Sequence, residues 1–393
     1  MAEAVSPPTR ATFPGDLPLW AKVYLSILPI GLPLVGLVEG SDFFLLAGIA
    51  GMFFSALRQG VWCFRLTDGL FLAFAGVACL GTDIGSYPGA FFFNLGAITF
   101  LFLGSRALAQ TVSGGKDLSR LMWWGSRLFF PIVAGYAALF ALHAFGFQEW
   151  TFGSFVGKLT FPFRFSNQLG GYLLGALPLA IGCGRKSLPA RFFLYLGFLI
   201  VIAGVGSRSA MLIAILEFIV LEAICVGDDP LPPAIRVAGL GCLIAWMGYA
   251  LSGEWTFMRA IGAIDSLPFT SDPPRIEQIR RAVEFLPFWL QGIGLGCFFG
   301  GHTLEIHITP ISLLTETGIG GLSLVGTWTA LTILPAVQVA LGKERGPRRE
   351  VSFLLVAIGA LLLYSLFHNL LRTRFLWMLF GLASGLHAHF RSA

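Results

Sequence analysis

Charged residues are scarce in this sequence: Asp, Glu, Lys and Arg make up 12% of its 393 residues, while hydrophobic residues make up 56%. The mean hydropathy is +0.79. This composition excludes the two or three soluble domains that the length alone would suggest. The net charge of +5 is therefore not a sign of nucleic-acid binding, and we expect no nucleic-acid partner. The distribution of basic residues among the loops is more informative.

Cysteine is also sparse, and metal-binding patterns are absent from the sequence. None of the six cysteines belongs to a Cys-x-x-Cys pair, and five lie in or beside apolar stretches, so neither a disulfide framework nor a zinc site is expected. There is no Asp-x-Asp motif and no His-rich cluster, and we expect no metal and no other cofactor. The first nineteen residues lack an apolar core and a small-residue cleavage site, which predicts a cytoplasmic tail rather than a signal peptide.

Long apolar runs fill the rest of the chain. Runs of roughly 17–25 residues can cross the ~30 Å hydrocarbon core of a bilayer as helices. The sequence therefore predicts an all-α polytopic membrane protein with about twelve transmembrane helices. The predicted spans are 20–38, 42–57, 66–82, 88–105, 121–146, 167–184, 191–206, 208–226, 236–252, 309–341, 351–367 and 372–389. The tenth is long enough to contain a break, which we predict at Gly318, Gly320 and Gly321.

A polar stretch between predicted helices 9 and 10 divides the chain. The division gives a cytoplasmic tail (1–19), helices 1–9 (20–252), a periplasmic catalytic loop (253–308), and helices 10–12 with a short C-terminal tail (309–393). Lys and Arg are concentrated in alternate connections, whereas the first two connections on the opposite side contain none. This positive-inside pattern predicts that both termini are cytoplasmic.

Eight basic residues lie on the predicted external side, against the orientation rule. A convergence of cations from several loops favours an anionic ligand, while a loop can also simply tolerate a residue such as Lys158. The eight are Lys158, Arg164, Arg208, Arg275, Arg280, Arg281, Arg372 and Arg374.

Arg208 stands in the sequence GVGSRSAM, in the first turn of a predicted helix. A helix N-terminus exposes N–H groups and carries partial positive charge, so an arginine there makes a site for an oxyanion. The alternative is an interfacial arginine that extends towards the lipid headgroups.

A short surface helix is predicted in the large loop, with Arg275 and Arg280 flanking its apolar face. Arg281 points away from that face, between Glu277 and Glu284, at the spacing of solvent-exposed ion pairs. Arg275 and Arg280 are therefore the stronger candidates for binding an anion.

Two histidines, His302 and His307, precede the tenth predicted span, which carries Glu316. A neutral imidazole is the natural general base near neutral pH, so His307 is a candidate for activating a hydroxyl, although an interfacial histidine can also be structural. The GIGLG sequence at 292–296 follows a surface helix rather than a strand, which argues against a dinucleotide fingerprint. It is predicted to let the backbone pass close to helices or substrate.

Five segments of the chain resemble the O-antigen ligase/polymerase superfamily of bacterial envelope glycan enzymes. They are FRFSNQLGGYLLGALPLA, GSRSAM, RIEQIRRAVEFLPFWLQGIGLG, IHITPISLLTETGIGGL and RFLWMLFGLASGL, and they cover most of residues 160–390. The resemblance implies a GT-C type glycosyltransferase of the bacterial inner membrane. Such an enzyme moves a glycan from undecaprenyl pyrophosphate to an acceptor hydroxyl on the periplasmic side.

By the same resemblance, the catalytic residues are His307 as base, Arg208 and Arg275, with Arg280 as a second possibility. Arginines would neutralise the leaving pyrophosphate without a metal, and a single displacement at the anomeric carbon predicts inversion. The residues expected to bind substrates are Arg164, Asn167, His302, Glu316, Arg372 and Arg374.

The expected partners are membrane lipids, the undecaprenyl-pyrophosphate-linked glycan and an acceptor. Ligation of O-antigen to lipid A-core is the leading expectation, polymerisation onto another glycan is the alternative, and transfer to protein is a third branch. Two other classes stay open. A twelve-helix transporter would use a mid-span carboxylate such as Glu217. A polyprenyl-phosphate-sugar transferase would use an acidic base at Glu39 or Asp42.

Overall fold

The fold was analysed in a computed structural model of the chain. The structure describes residues 17–28, 33–35, 38–60, 64–112, 115–144, 154–155, 158–159, 166–183, 188–205, 207–225, 232, 235–236, 238–239, 241, 280, 284, 289–298, 306, 308–342 and 348–390.

Twelve helices can be followed from end to end within those residues. They are α1 (Leu19–Ile27), α2 (Gly40–Gln59), α3 (Leu66–Ala78), α4 (Pro88–Thr111), α5 (Gly115–Ser126), α6 (Phe129–Ala144), α7 (Ser166–Gly182), α8 (Leu188–Val205), α9 (Arg208–Ile224), α10 (Thr309–Leu341), α11 (Arg348–Ser365) and α12 (Arg374–Phe390). Two short antiparallel pairs accompany them, β1 (Pro33–Val35) with β2 (Val38–Glu39) and β3 (Ser154–Phe155) with β4 (Lys158–Leu159). The α-helical class that the composition predicts is confirmed.

Local sequence signals explain where several helices begin and end. The backbone N–H of Glu39 donates to Asp42 Oδ2 at 2.9 Å at the start of α2, and Arg65 donates in the same way to Asp68 at the start of α3. Each carboxylate satisfies a backbone donor outside the helical hydrogen-bond ladder. α2 ends at Gly60, which has a φ of 65°, a left-handed conformation that glycine adopts without a Cβ penalty.

Small residues let two helices pack closely at the centre of the fold. Gly381 and Gly385 are spaced Gly-x-x-x-Gly on α12 and face α4. A Cβ added at Gly381 would lie 2.7 Å from the carbonyl oxygen of Ser105, and one added at Gly385 would lie 2.6 Å from Val112 Cβ. Such spacing brings helix backbones together in membrane proteins. α11 likewise packs along α7, and α10 packs along α3.

Three of the described helices are long and apolar enough to cross a membrane: Ser41–Gln59, Pro88–Thr111 and Thr309–Leu341. Four shorter apolar helices accompany them: Leu66–Ala78, Gln168–Gly182, Ala190–Ile202 and Arg374–Leu386. The predicted count of about twelve spans is therefore corrected. Among the described residues, three helices meet the length and hydropathy that are required to cross a membrane.

The structure shows why apolar runs overcount spans. The predicted span 20–38 stops being helical after Ile27 and is followed by the β1–β2 hairpin, and the predicted span 121–146 is interrupted at the turn 127–128 between α5 and α6. Hydropathy records an apolar run but not the turn inside it. The tenth span, in contrast, has the predicted bounds and the predicted break, because Gly318 has φ 67° and ψ −176° inside α10.

Buried ion pairs tie together the helix ends that the positive-inside pattern predicts to be cytoplasmic. Arg106 Nε lies 2.8 Å from Asp68 Oδ1. Glu222 pairs with Arg191 at 3.0 Å and with Arg236 at 2.9 Å. Basic residues that serve as orientation signals in the sequence therefore also have carboxylate partners inside the protein, where a charge requires compensation.

Candidate functional site

The most distinctive local structure is the break in α10. Gly318 interrupts the helix, and the next residue, Ile319, donates its backbone N–H to the carbonyl oxygen of Trp289 at 2.7 Å. Trp289 begins the described loop segment 289–298, which contains GIGLG. The bond from Ile319 therefore leaves the helical ladder and runs to the loop.

The loop segment 289–298 in turn donates to the helix. Ile293 N–H donates to the carbonyl of Thr315 at 3.1 Å, and Gly294 N–H donates to that of Glu316 at 2.8 Å. Backbone polar groups exposed by a broken helix need such partners at membrane depth. The loop thus completes the hydrogen bonding of the broken helix.

Glycine is required on both sides of this contact. Gly292, Gly294 and Gly296 have φ values of 74°, 115° and 77°, where a side chain is strained. A Cβ at Gly292 would lie 2.5 Å from the carbonyl oxygen of Glu316, and one at Gly318 would lie 2.5 Å from that of Leu290. The prediction that GIGLG lets the backbone pass close to a helix is confirmed.

The same loop also contacts the connection between α3 and α4. Thr82 and Asp83 donate their backbone N–H groups to the carbonyls of Gly292 and Ile293, at 3.3 and 2.8 Å. Gly81 packs directly on the backbone of Gly294. The loop therefore lies between α10 and the α3–α4 connection, bonded to both.

A polar pocket lies beside this loop. Its polar side chains supply a carboxylate, a guanidinium and two amides, a set that can accept from and donate to hydroxyl and phosphate groups. The lining residues are Asn94, Ile98, Leu295, Gly296, Glu316, Asn369, Leu371 and Arg372. The pocket thus brings together Glu316 and Arg372, two of the residues predicted to bind substrate.

An apolar cavity adjoins the polar pocket. Ile98 and Leu371 line both spaces. Aromatic and aliphatic side chains of α3, α10 and α12, among them Phe71, Trp328 and Phe380, form its walls. A hydrophobic space therefore continues from one side of the polar pocket.

The connection between α11 and α12 is hydrogen-bonded to the start of α10, next to the pocket. Thr309 Oγ1 donates to the carbonyl of His368 at 2.8 Å and accepts from the N–H of Leu370 at 3.0 Å. The Asn369 amide donates to the carbonyl of Ile306 and to Ser312 Oγ, each at 3.4 Å. The start of α10 is thus bonded to residues 368–370.

The first turn of α9 reaches the same connection. Ser207 caps α9 by accepting from the N–H of Ala210, and Ser209 Oγ shares a hydrogen bond with His368 Nε2 at 3.1 Å. Arg208 is the first residue of α9, so its backbone lies at the helix N-terminus that the sequence predicts. Its side chain is outside the described part of the structure.

Arg374 is engaged in a cluster at the start of α2 rather than in the polar pocket. It lies 2.9 Å from Glu39 and 2.6 Å from Asp42. Burial raises the pKa of the Glu39 carboxyl above its usual range, although Arg374 acts in the opposite direction. The predicted substrate-binding arginine is therefore bound to the two carboxylates that would serve as an acidic base in the first external loop.

Arg280 is exposed and lies 3.9 Å from Glu284, at the i,i+4 spacing of a solvent-exposed pair. The sequence pattern predicts that kind of pairing for Arg281 instead. Arg164, Arg275, His302 and His307 lie outside the described residues, as does the side chain of Asn167 in α7.

Sequence reasoning missed Asn94, His368 and Asn369. A signal was present, because His368-Asn369 is a polar pair between the apolar runs of α11 and α12, and Asn94 is a lone amide in an apolar span. A polar residue in an apolar span is costly unless it is bonded or functional. No group of three or more His, Cys, Asp or Glu residues that could hold a metal occurs in the described ranges.

No model of a known protein family matches this chain. No curated protein matches it significantly either. The resemblance therefore depends on the motifs quoted above, and the activity has to be argued from the site.

Proposed function

We propose that the chain is a bacterial inner-membrane glycosyltransferase of the O-antigen ligase/polymerase superfamily. It would have cytoplasmic termini and a large periplasmic loop at 253–308, before α10. It would transfer a glycan from undecaprenyl pyrophosphate to an acceptor hydroxyl, with lipid A-core as the acceptor.

The observation that supports this proposal is the polar pocket beside the apolar cavity. A lipid-linked glycan has hydroxyl-rich and anionic parts joined to a long hydrocarbon chain. Glu316, Asn94, Asn369 and Arg372 offer partners for the polar part, while the adjoining cavity offers apolar walls for the start of the chain. A ligand site needs such a combination of apolar surface and a few convergent polar groups.

The proposed reaction is one displacement at the anomeric carbon. The acceptor oxygen forms a bond to that carbon while the bond from carbon to the pyrophosphate oxygen breaks, and undecaprenyl pyrophosphate leaves. His307 takes the proton of the acceptor hydroxyl. Arg208, together with Arg275 or Arg280, stabilises the negative charge on the leaving pyrophosphate.

Transfer by the purified protein in lipid nanodiscs tests the proposal. With a lipid-linked glycan and lipid A-core, the wild type should give a product that migrates more slowly on a gel. His307→Ala should abolish turnover. Arg208→Lys should be nearly as impaired as Arg208→Ala, because an ammonium cannot grip a pyrophosphate in the bidentate manner of a guanidinium. Arg281→Ala is the control and should stay close to wild type. Wild-type activity in His307→Ala would remove the proposed base.

The contribution of the pocket can be tested separately at Asn94. Asn94→Leu keeps the branched side-chain skeleton but removes the amide, so the KM for the donor should rise by about tenfold, the equivalent of one hydrogen bond to a charged or polar group. Thr99→Val is the matched control. Thr99 lies on the same helix and donates to the carbonyl four residues earlier, as Asn94 does, but it does not line the pocket. An unchanged KM in Asn94→Leu would place the donor elsewhere.

Polymerisation is the alternative within the superfamily, and a gene deletion distinguishes the two. Loss of a ligase strands full-length glycan chains on the lipid carrier. Loss of a polymerase leaves lipid A-core that carries a single repeat unit.

A further inference from the structure

The short connection 366–373 between α11 and α12 is bonded to the beginnings of two other helices. His368 lies in it with 3% of its surface exposed, and its ring packs against that of Tyr364 with centroids 4.3 Å apart. A buried side chain held in this way has little freedom to change rotamer. His368 can therefore hold other segments in place through its hydrogen bonds.

The His368 side chain is hydrogen-bonded to the first turn of α9. Ser209 Oγ shares a hydrogen bond with His368 Nε2 at 3.1 Å. Ser207 Oγ lies 3.4 Å from Tyr364 Oη, so two serines of the turn meet two residues of the α11 end. These serines stand directly before and after Arg208 in the sequence.

The connection is also hydrogen-bonded to the start of α10. The Asn369 amide reaches the carbonyl of Ile306, and the carbonyl of His368 accepts from Thr309 Oγ1. Ile306 and Thr309 flank residues 307–308 in the sequence. Adjacent residues, His368 and Asn369, are therefore bonded to the two segments that carry Arg208 and His307.

We propose that His368 and Asn369 are positioning residues that fix the first turn of α9 relative to the first turn of α10. The inference rests on the proposed function for its consequence, because Arg208 begins the first of these turns and His307, the proposed base, shortly precedes the second in the sequence. Catalysis by proximity requires reacting groups to be held within a fraction of an ångström, and misplacement by about 1 Å costs about a hundredfold in rate. Two bonds from adjacent residues supply such a constraint.

Hydrogen exchange tests the constraint without any glycan. The N–H of Met211 donates to the carbonyl of Ser207, and that of Ser312 donates to the carbonyl of Ile308, so both amides report on the first turns. In nanodiscs, His368→Phe should speed exchange in peptides around residues 207–212, and Asn369→Leu should do so around 306–312, each by roughly tenfold through easier local opening. Unchanged exchange in both variants would overturn the proposal.

The variants are chosen to keep the fold. Phe retains a ring that can pack against Tyr364, and Leu keeps the branched side-chain skeleton of Asn, while the two changes remove the side-chain hydrogen bonds of His368 and Asn369. His368→Gln keeps a group that can bond Ser209 and should restore most of the protection. Ser209→Ala, which removes the other partner, should mimic His368→Phe near α9. Ser352→Ala, in the helix α11 that precedes the connection, is the control, since its hydroxyl bonds locally to the carbonyl of Arg348 at 2.8 Å, and it should change neither region.

Kinetics then separate positioning from a general structural role. In the transfer assay, His368→Phe should lower kcat by about 10- to 100-fold while the donor KM stays within about threefold, because His368 does not line the polar pocket, and His368→Gln should lie between His368→Phe and the wild type. A rise in KM at constant kcat would overturn the positioning role. Absence of transfer by the wild type would instead remove the proposed function, and the exchange result would still decide whether the two turns are held.

Discussion

Arg374 donates two hydrogen bonds to the carboxylate of Asp42, from Nε to Oδ1 at 2.7 Å and from Nη2 to Oδ2 at 2.6 Å. The two residues are 332 positions apart in the sequence, so this pair joins the start of α12 to the start of α2. Glu39 completes the cluster. Arg372, two residues earlier, instead lines the polar pocket. Two arginines that are close in the sequence therefore have different surroundings: Arg374 pairs with carboxylates, and Arg372 lines the pocket.

Arg374→Ala should therefore lower the free energy of unfolding, whereas Arg372→Ala should weaken substrate binding. The pair of Arg374 with Asp42 is 18% and 12% exposed, so its loss should cost about 2–3 kcal/mol, less than the roughly 3–5 kcal/mol of a fully buried pair. Thermal unfolding in detergent would measure this cost. Arg372→Ala should raise the donor KM in the transfer assay.

Arg280→Ala is the control for the stability comparison. Arg280 is 72% exposed and 3.9 Å from its carboxylate partner, so its removal should change the melting temperature little. Equal melting temperatures for Arg374→Ala and Arg280→Ala would show that the Asp42 pair is not structural.

Gly318→Ala should destabilise the protein and displace the loop segment 289–298. The φ of 67° with ψ of −176° belongs to a region that glycine alone occupies readily, and another residue there costs roughly 1–3 kcal/mol. The added Cβ would also approach the carbonyl of Leu290. Limited proteolysis at 289–298 and thermal unfolding would detect both effects.

Gly326→Ala provides the matched comparison within α10. A Cβ at Gly326 meets nothing within 4 Å, and alanine is favoured over glycine in a helix by roughly 0.5–1 kcal/mol. Gly326→Ala should thus be neutral or slightly stabilising. Similar losses at both positions would mean that the break is not what makes Gly318 necessary.

Glu217→Gln should leave transfer intact. Glu217 is 2% exposed in α9, and neither carboxylate oxygen has a hydrogen-bond partner among the described residues. An amide of the same shape removes the cost of burying a carboxyl without creating a cavity. The melting temperature should stay level or rise. Loss of function with unchanged folding would favour the transporter interpretation, in which a mid-span carboxylate is essential.

Glu39 should make the stability depend on pH. Burial raises the pKa of its carboxyl, more than Arg374 lowers it, and Asp42 raises it further. Because the folded protein then holds the proton more tightly than the unfolded chain, its contribution to stability is present at low pH and is lost as the pH rises through the raised pKa. The melting temperature of wild type minus that of Glu39→Gln should fall as the pH rises above the ordinary glutamate pKa of about 4. A constant difference would contradict this assignment.

Structural features that depend on residues close together in the sequence, such as helix bounds and glycine turns, could be predicted. α10 has the expected bounds, because a 33-residue apolar run has few other conformations available. Its break and the turn at GIGLG follow from glycine, whose lack of a Cβ is a local property. The sequence predicts Glu316 and Arg372 as substrate-binding residues, and both line the polar pocket.

Features that depend on distant contacts could not be predicted. The interruption of the expected fifth span at Arg127 coincides with contacts of its guanidinium, which lies 4.7 Å from the Trp124 ring and donates to Ser26 Oγ at 3.2 Å. The pairing of Arg374 with Asp42 similarly depends on how α2 and α12 pack. A basic residue on the external side shows that a partner is required but does not say whether the partner is a ligand or a carboxylate elsewhere in the chain.

The loop segment 289–298 is synthesised before the helix that it completes. On the proposed topology, it has already left the cytoplasm when α10 enters the membrane. The carbonyls of Thr315 and Glu316 then receive the donors of Ile293 and Gly294 from chain that is already in place, so the insertion of α10 and the docking of the loop form a single folding step. A chain that ends before residue 309 would leave the loop without these acceptors, and a chain with a defective loop would insert α10 with exposed backbone.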